Sequence, residues 1–167
     1  MKQQIEVRIF DPQDVLEATN QSVSEILAIE KCTFPDPWSS GSIEETLKAP
    51  GYRNTGAWIE GKLAGYLFCS YVLDETEIVK IAVAPKFQRR GIATALMNEF
   101  TEWCKASGIH RWMLDVRAGN DCAAALYRSF GFTEDGVRKN YYTDPVEDAV
   151  LMSRQIPQLS AVSTRNL

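Results

Sequence analysis

The chain has 167 residues and a formal net charge of −4, from 18 Lys and Arg against 22 Asp and Glu. That balance provides no general basic field to recruit nucleic acid or an anionic membrane. Its one histidine, His110, leaves little for a histidine-based metal site or a Ser-His-Asp triad, and no metal is expected.

The length suits one compact domain, expected over residues 1–157, with a Ser- and Thr-rich tail at 158–167 that is loosely held. Met1 to Phe10 mixes charge with short apolar steps and has no signal-peptide core. No stretch is apolar enough to span a bilayer. These features point to a cytoplasmic protein, a monomer or weak dimer. Cys32, Cys69, Cys104 and Cys122 are scattered, with no CxxC pair, and are expected to be buried and reduced.

Along the chain, Ile5 to Ile9 alternates apolar and charged residues and predicts a strand. Val15 to Lys31 has helical spacing. Phe34-Pro35-Asp36-Pro37-Trp38 carries two prolines and predicts a loop. A helix then starts within Ser39 to Ser42 and runs to about Lys48, with Ser42 and Glu45 at capping-box spacing. Gly56 to Ile59 and Leu63 to Val72 predict two strands joined by the turn Glu60-Gly61-Lys62. A third runs from about Glu75 to Val83. Gly91 to Lys105 predicts a helix with Ile92, Leu96, Phe100 and Trp103 on one face. Arg111 to Val116 is a strand. Asn120 caps the next helix, and Gly131 closes it. Phe132 to Arg138 and Asp148 to Ser153 are the last strands, joined by Lys139 to Glu147. The class is α/β in the α+β sense: a mixed sheet with about four helices packed on it.

The most informative stretch is Val79 to Ala93, where a strand enters a short basic turn and a helix opens. The first turn of a helix has amides without intrahelical partners, and these with the helix dipole bind an anion. Gly91 and Ala93 let a phosphate approach the backbone, and Arg89 and Arg90 add positive charge. A plain helix start after a basic loop is the alternative. A Walker loop would need Gly-Lys-Ser/Thr, which is absent, and a dinucleotide fingerprint would need three glycines at fixed spacing, of which only Gly91 is here.

Gln88-x-x-Gly91-x-Ala93 resembles the Gln/Arg-x-x-Gly-x-Gly/Ala signature of GNAT acetyltransferases. The resemblance extends to the bacterial ribosomal-protein alanine N-acetyltransferases. It rests on Phe34 with Pro37-Trp38-Ser39, Leu73-Asp74-Glu75, Ile81-Ala82-Val83, Leu114 to Ala118 with Asn120, Ala125-Leu126-Tyr127, Gly131-Phe132, Arg138-x-Asn140-Tyr141-Tyr142 and Glu147-Asp148-Ala149. It implies the GNAT fold, a mostly antiparallel sheet splayed around acetyl-CoA. The pantetheine arm is expected along Ile81, Ala82 and Val83. The pyrophosphate is expected at Gln88, Arg89, Arg90, Gly91, Ile92, Ala93 and Thr94, with Asn120 on the cofactor arm.

The resemblance also implies an acetyl transfer to a protein N-terminus, the first alanine of a small-subunit ribosomal protein. An α-amino group has a pKa near 8, so roughly a tenth is neutral at pH 7, whereas lysine is about a hundredfold less available. The family's base is a glutamate where this chain has Asp115, shorter by one methylene. Glu77, on the strand leading to Ile81, is the rival base, and a salt bridge to Arg117 is the structural alternative for Asp115. Tyr127 matches the general acid, with core packing as its alternative. Phe34, Trp38, Tyr141 and Tyr142 match residues lining the peptide groove. Another amine acceptor, or a non-catalytic acetyl-CoA sensor, are the competing functions. Lys80 stands where relatives commonly carry Asn or Ser.

Overall fold

The computed structural model describes residues 3–11 and 19–158. The order is β1 (Ile5–Ile9), α1 (Thr19–Thr33), α2 (Ser40–Lys48), β2 (Tyr52–Ile59), β3 (Lys62–Val72) and β4 (Glu75–Val83). A 3-10 turn, Pro85–Phe87, leads to α3 (Ile92–Ala106), β5 (Arg111–Arg117), α4 (Asp121–Ser129), β6 (Thr133–Thr143) and β7 (Val146–Gln155). The expected start of α1 at Val15 and the tail beyond Gln158 lie outside the described residues. The strands form one sheet in the order β1-β2-β3-β4-β5-β7-β6. Every neighbouring pair is antiparallel except β4 and β5. This is the mixed sheet with four helices that the sequence predicts.

Helix α3 lays Ile92, Leu96 and Phe100 into the core, with Trp103 at its margin. Phe100 meets the wholly buried Trp112 of β5 edge-on at 5.5 Å, and Trp112 donates its indole N–H to the Ile109 carbonyl at 3.0 Å. Each such apolar side chain contributes roughly 1.5–3 kcal/mol by leaving water. Helix α1 packs on the opposite face, over Tyr66 and Phe68 of β3, with Ile26 fully buried.

Helix α2 starts within the expected range, but its cap and two strand boundaries differ from expectation. Ser39, not Ser42, caps α2: its Oγ accepts from the Ser42 amide at 3.1 Å. Ser39 is the extended residue that follows Pro37-Trp38, so its hydroxyl is free to turn back to the helix. Strand β2 begins at Tyr52, because its polar residues find partners within the fold. Asn54 is buried and donates to the Thr46 carbonyl at 2.9 Å, and Arg53 pairs with Glu99 of α3. Strands β6 and β7 fill most of the predicted connection, leaving Asp144-Pro145 as the turn. Of the cysteines, Cys69 and Cys104 are buried and Cys32 and Cys122 exposed, all free thiols. Burial pushes the Cys69 thiol up to about 12.

Candidate active site

The site begins with one extra residue in β4. Opposite β3, Lys80 pairs with Phe68 and Ile78 with Cys69, so Val79 is a bulge. A bulge bends its strand and raises the local twist. Parallel pairing of β4 with β5 runs from Glu75–Arg111 to Ile78–Leu114 and stops there. Beyond it Ile81 to Val83 stay paired to β3 alone, and the two strands part. The bulge also changes which face a side chain meets. Ile78 and Lys80 have the same parity, yet Ile78 sits opposite Cys69, which lies near Cys104 of α3, while Lys80 reaches Glu30 of α1.

The parted edge of β4 offers backbone groups. Ala84 donates to the Ala64 carbonyl at 2.8 Å. By the alternation of an antiparallel ladder, Ala82 then bonds to Tyr66, and Ile81 and Val83 turn their N–H and C=O groups toward the opening. Of the three predicted edge residues, Ala82 is thus committed to β3. The Gln88 side chain donates to the Val83 carbonyl at 3.2 Å, tying the turn to the edge.

In the turn, Phe87 is buried and roots the loop. Gly91 is the N-cap of α3 with φ +84°, a conformation suited to glycine. Arg89 also has a positive φ, of 64°. The Ala95 amide makes the first helical bond, to the Gly91 carbonyl at 2.9 Å. The amides of Ile92, Ala93 and Thr94 are therefore without intrahelical partners. A side chain built on Gly91 would meet no atom within 4 Å, so the space above these donors is open. Donor chemistry and clearance fit a diphosphate. Of the two arginines, Arg90 leans to the Phe87 ring and donates to Gln3 Oε1 at 3.1 Å. Asn120 caps α4 by accepting from the Ala123 amide at 3.2 Å.

Across the opening, titratable groups converge. Asp115 of β5 pairs with Arg138 of β6, Oδ2 to Nη1 at 3.5 Å, and not with Arg117. Glu77 of β4 is held above its usual carboxyl range by partial burial and by the charge of Asp115, with Arg138 opposing. Tyr142 is pushed up to about 12 by partial burial and by Asp115. The Tyr127 ring is buried against Phe132, centroids 5.9 Å apart, and burial followed by Tyr142 raises its phenol. Among the described residues the Tyr127 hydroxyl has no hydrogen-bond partner, yet it is not one of the enclosed, unsatisfied polar atoms. Its O–H therefore remains an uncommitted donor with some access to solvent.

Arg117 is the residue that sequence reasoning missed. Its guanidinium lies 4.1 Å from the Tyr142 ring centroid. It donates to Asp36 Oδ1 at 3.1 Å, to the Pro145 and Asp144 carbonyls at 3.2 Å each, and to Glu147 Oε1 at 3.4 Å. It thereby joins the loop after α1 to the β6–β7 turn. Glu147 uses its other oxygen on the Gly119 amide at 2.6 Å. Asp148 accepts from the Asn140 amide at 2.8 Å and from Lys139 at 3.0 Å, and these donors lower its pKa. Asn140 has φ +50°, and β6 shifts register between Arg138 and Tyr142. That irregularity sets Tyr141 and Tyr142 edge to face, centroids 5.1 Å apart. The signal was the Arg117 and Glu147-Asp148 pair of motifs, whose partners are far apart in sequence.

Phe34 and Trp38 form the other wall, and between them lies Lys80. Its Nζ is 4.2 Å from the Phe34 centroid, 4.7 Å from that of Trp38 and 2.8 Å from Glu30 Oε2. Desolvation lowers its pKa, opposed first by Glu30.

Among the described residues there is no cluster of three acidic, Cys or His side chains suited to a metal, and no helix long and apolar enough to cross a membrane. The family model described as acetyltransferase (GNAT) family matches residues 23–132. The [ribosomal protein bS18]-alanine N-acetyltransferase of Escherichia coli (strain K12) is 37% identical over 130 residues, covering 77% of this chain and 87% of that protein. The crystal structure of the ribosomal-protein-S18-alanine N-acetyltransferase from Escherichia coli superposes with a TM-score of 0.83 at 30% identity, covering 95% of this chain and 98% of the other. Arabidopsis thaliana NAA60, solved with acetyl-CoA, shares the fold with a TM-score of 0.75 at 19% identity, over 92% and 99% of the two chains. Sheet, turn and sequence agree: the chain belongs to the GNAT family of acetyltransferases.

Proposed function

We propose that this enzyme moves the acetyl group of acetyl-CoA to a protein N-terminal amine, with the first alanine of a small-subunit ribosomal protein as its acceptor. One observation carries the reading. Strand β4 parts from β5 beyond Ile78 and Leu114, and beside that opening Glu77 neighbours Asp115, Asp115 pairs with Arg138 and neighbours Tyr142, and Tyr142 neighbours Tyr127. The names of the 37% identical relative and of the superposed Escherichia coli enzyme support the acceptor class.

Acetyl-CoA supplies an activated acyl group. The amides of Ile92 to Thr94 hold its diphosphate, the free N–H and C=O of Ile81 pair with its arm, and Asn120 offers its remaining amide hydrogens. The Val83 N–H, turned to the opening by the ladder alternation, donates to the acyl oxygen in this reading. The amine must lose a proton to attack. Glu77 takes it, with Asp115 and Arg138 setting its charge, or Asp115 takes it through a water that its short side chain leaves room for. Tyr127 returns a proton to the departing thiolate. Its raised phenol keeps that proton at neutral pH. Phe34, Trp38, Tyr141 and Tyr142 line the path of the peptide.

The test is acetyl transfer from acetyl-CoA to Ala-, Ser- and Met-starting peptides. The Ala peptide is expected to have the highest kcat/KM. Acetylation of a small amine with no peptide acetylated would overturn the reading, and tight coenzyme binding without turnover would replace it by a sensor.

A further inference from the structure

We propose, resting on the reading of the acceptor as a peptide N-terminus, that Lys80 is a positioning residue. Its ammonium fixes the Phe34–Trp38 wall and so sets a preference for a small first residue.

The geometry that carries this is a five-residue loop held from below by two charged side chains. The Lys80 ammonium sits under both aromatic rings and donates to Glu30 Oε2. The same Oε2 accepts from the Trp38 amide at 2.8 Å, and Oε1 accepts from the Tyr66 hydroxyl. The Phe34 amide donates to the Glu30 backbone carbonyl at 2.9 Å. Glu30 has no exposed side-chain surface and Lys80 only 12%. A buried charge left without its partner is costly, so the pair holds its arrangement. The middle of the loop is tied separately, Asp36 to Arg117 across the opening.

The Val79 bulge is what brings Lys80 to this face, on the same side as Glu77. An aromatic wall anchored at both ends and at its middle has no freedom to swing aside for a longer side chain. Neither Lys80 nor Glu30 is assigned a contact with the reacting atoms.

The experiment compares Lys80→Met, which keeps the bulk and removes the charge, with Lys80→Arg, which keeps a cation over the rings. In Lys80→Met the KM for an Ala-starting peptide is expected to rise about tenfold, the scale of a desolvated cation–π contact. Its kcat and its KM for acetyl-CoA should stay within about twofold, and its preference for Ala- over Met-starting peptides should fall. Lys80→Arg should retain most of that preference. A folded Lys80→Met enzyme with unchanged peptide KM and preference overturns the proposal.

If Lys80→Met does not fold, the Glu30→Gln/Lys80→Met double variant leaves no lone buried charge. The same loss is expected there, and a retained preference is equally fatal. Hydrogen exchange over residues 34–42 separates this proposal from the acceptor reading. Exchange at the Trp38 amide should speed up about tenfold in the variant whether or not any peptide reacts. A wild-type enzyme inert to every peptide removes the acceptor reading and the preference drawn from it. Unchanged exchange at Trp38 removes the anchoring itself.

Discussion

On one side of the opening, the turn between β4 and α3 presents backbone. Its donors are consecutive amides, Ile92 to Thr94, and its shape follows from Gly91 at φ +84° and a buried Phe87. On the other side, the walls of the proposed peptide path present side chains. Asp36, Arg117, Arg138 and the Glu147-Asp148 pair come from four separate stretches of chain and find their partners only after folding. A site made of neighbouring amides depends on local conformation. A site made of convergent charges depends on register, and one slipped pair would scatter it.

The contrast can be tested by asking which kinetic constant each side controls. The largest expected effect belongs to Tyr127, the proposed proton donor. Tyr127→Phe should lower kcat by about 10²-fold or more with both KM values little changed. An unchanged kcat would return Tyr127 to simple core packing.

Next is Gly91→Val. A β-branched residue disfavours positive φ by of order 1–3 kcal/mol, so the free turn should relax out of the binding shape and coenzyme A should bind about 10- to 100-fold more weakly by calorimetry. The peptide KM should not follow. Wild-type affinity would mean that the diphosphate lies elsewhere.

Arg117→Ala probes the other side. Losing charge-assisted bonds that join two walls should raise the peptide KM about tenfold while coenzyme affinity holds. If both constants move together, the sides are not separable.

Arg138→Met asks how the carboxylates share their charge. Arg138 lowers the pKa of Glu77, so its removal raises that pKa. A base is lost as pH falls through its pKa, so the acid limb of kcat/KM should move to higher pH. Because Arg138 also pairs with Asp115, the base is assigned by deletion: a limb that persists in Glu77→Gln but vanishes in Asp115→Asn would make it Asp115.

The smallest effect is structural. Ser39→Ala removes the cap of α2 and should cost about 1 kcal/mol in urea unfolding, with kinetics nearly unchanged. A fall in peptide turnover would show that the cap also steadies the wall next to it.

Much of the turn was legible in the residues because its information is contiguous. Gln88, Gly91 and Ala93 are spaced by the turn itself, and the helix after them has an apolar face that announces it. Asn120 was legible for the same reason, since a cap acts on amides two or three residues away. The acceptor side was legible only in its parts. Asp115, Tyr141 and Tyr142 stand out as residue types, but the partner of Asp115 is Arg138, not the nearby Arg117. Lys80 had no account, since nothing local in Glu77-Ile78-Val79-Lys80 marks Val79 as a bulge.

By itself the sequence determined the alternation of strands and helices, the glycine-opened helix start and the chemical types available for transfer. These follow from periodicity, φ preferences and side-chain chemistry, all set within a few residues. The tertiary structure alone decided which charges face one another, where β4 leaves β5, and that Lys80 lies under Phe34 and Trp38. Those depend on register across strands distant in the chain, where a single bulge reverses the face each later residue meets.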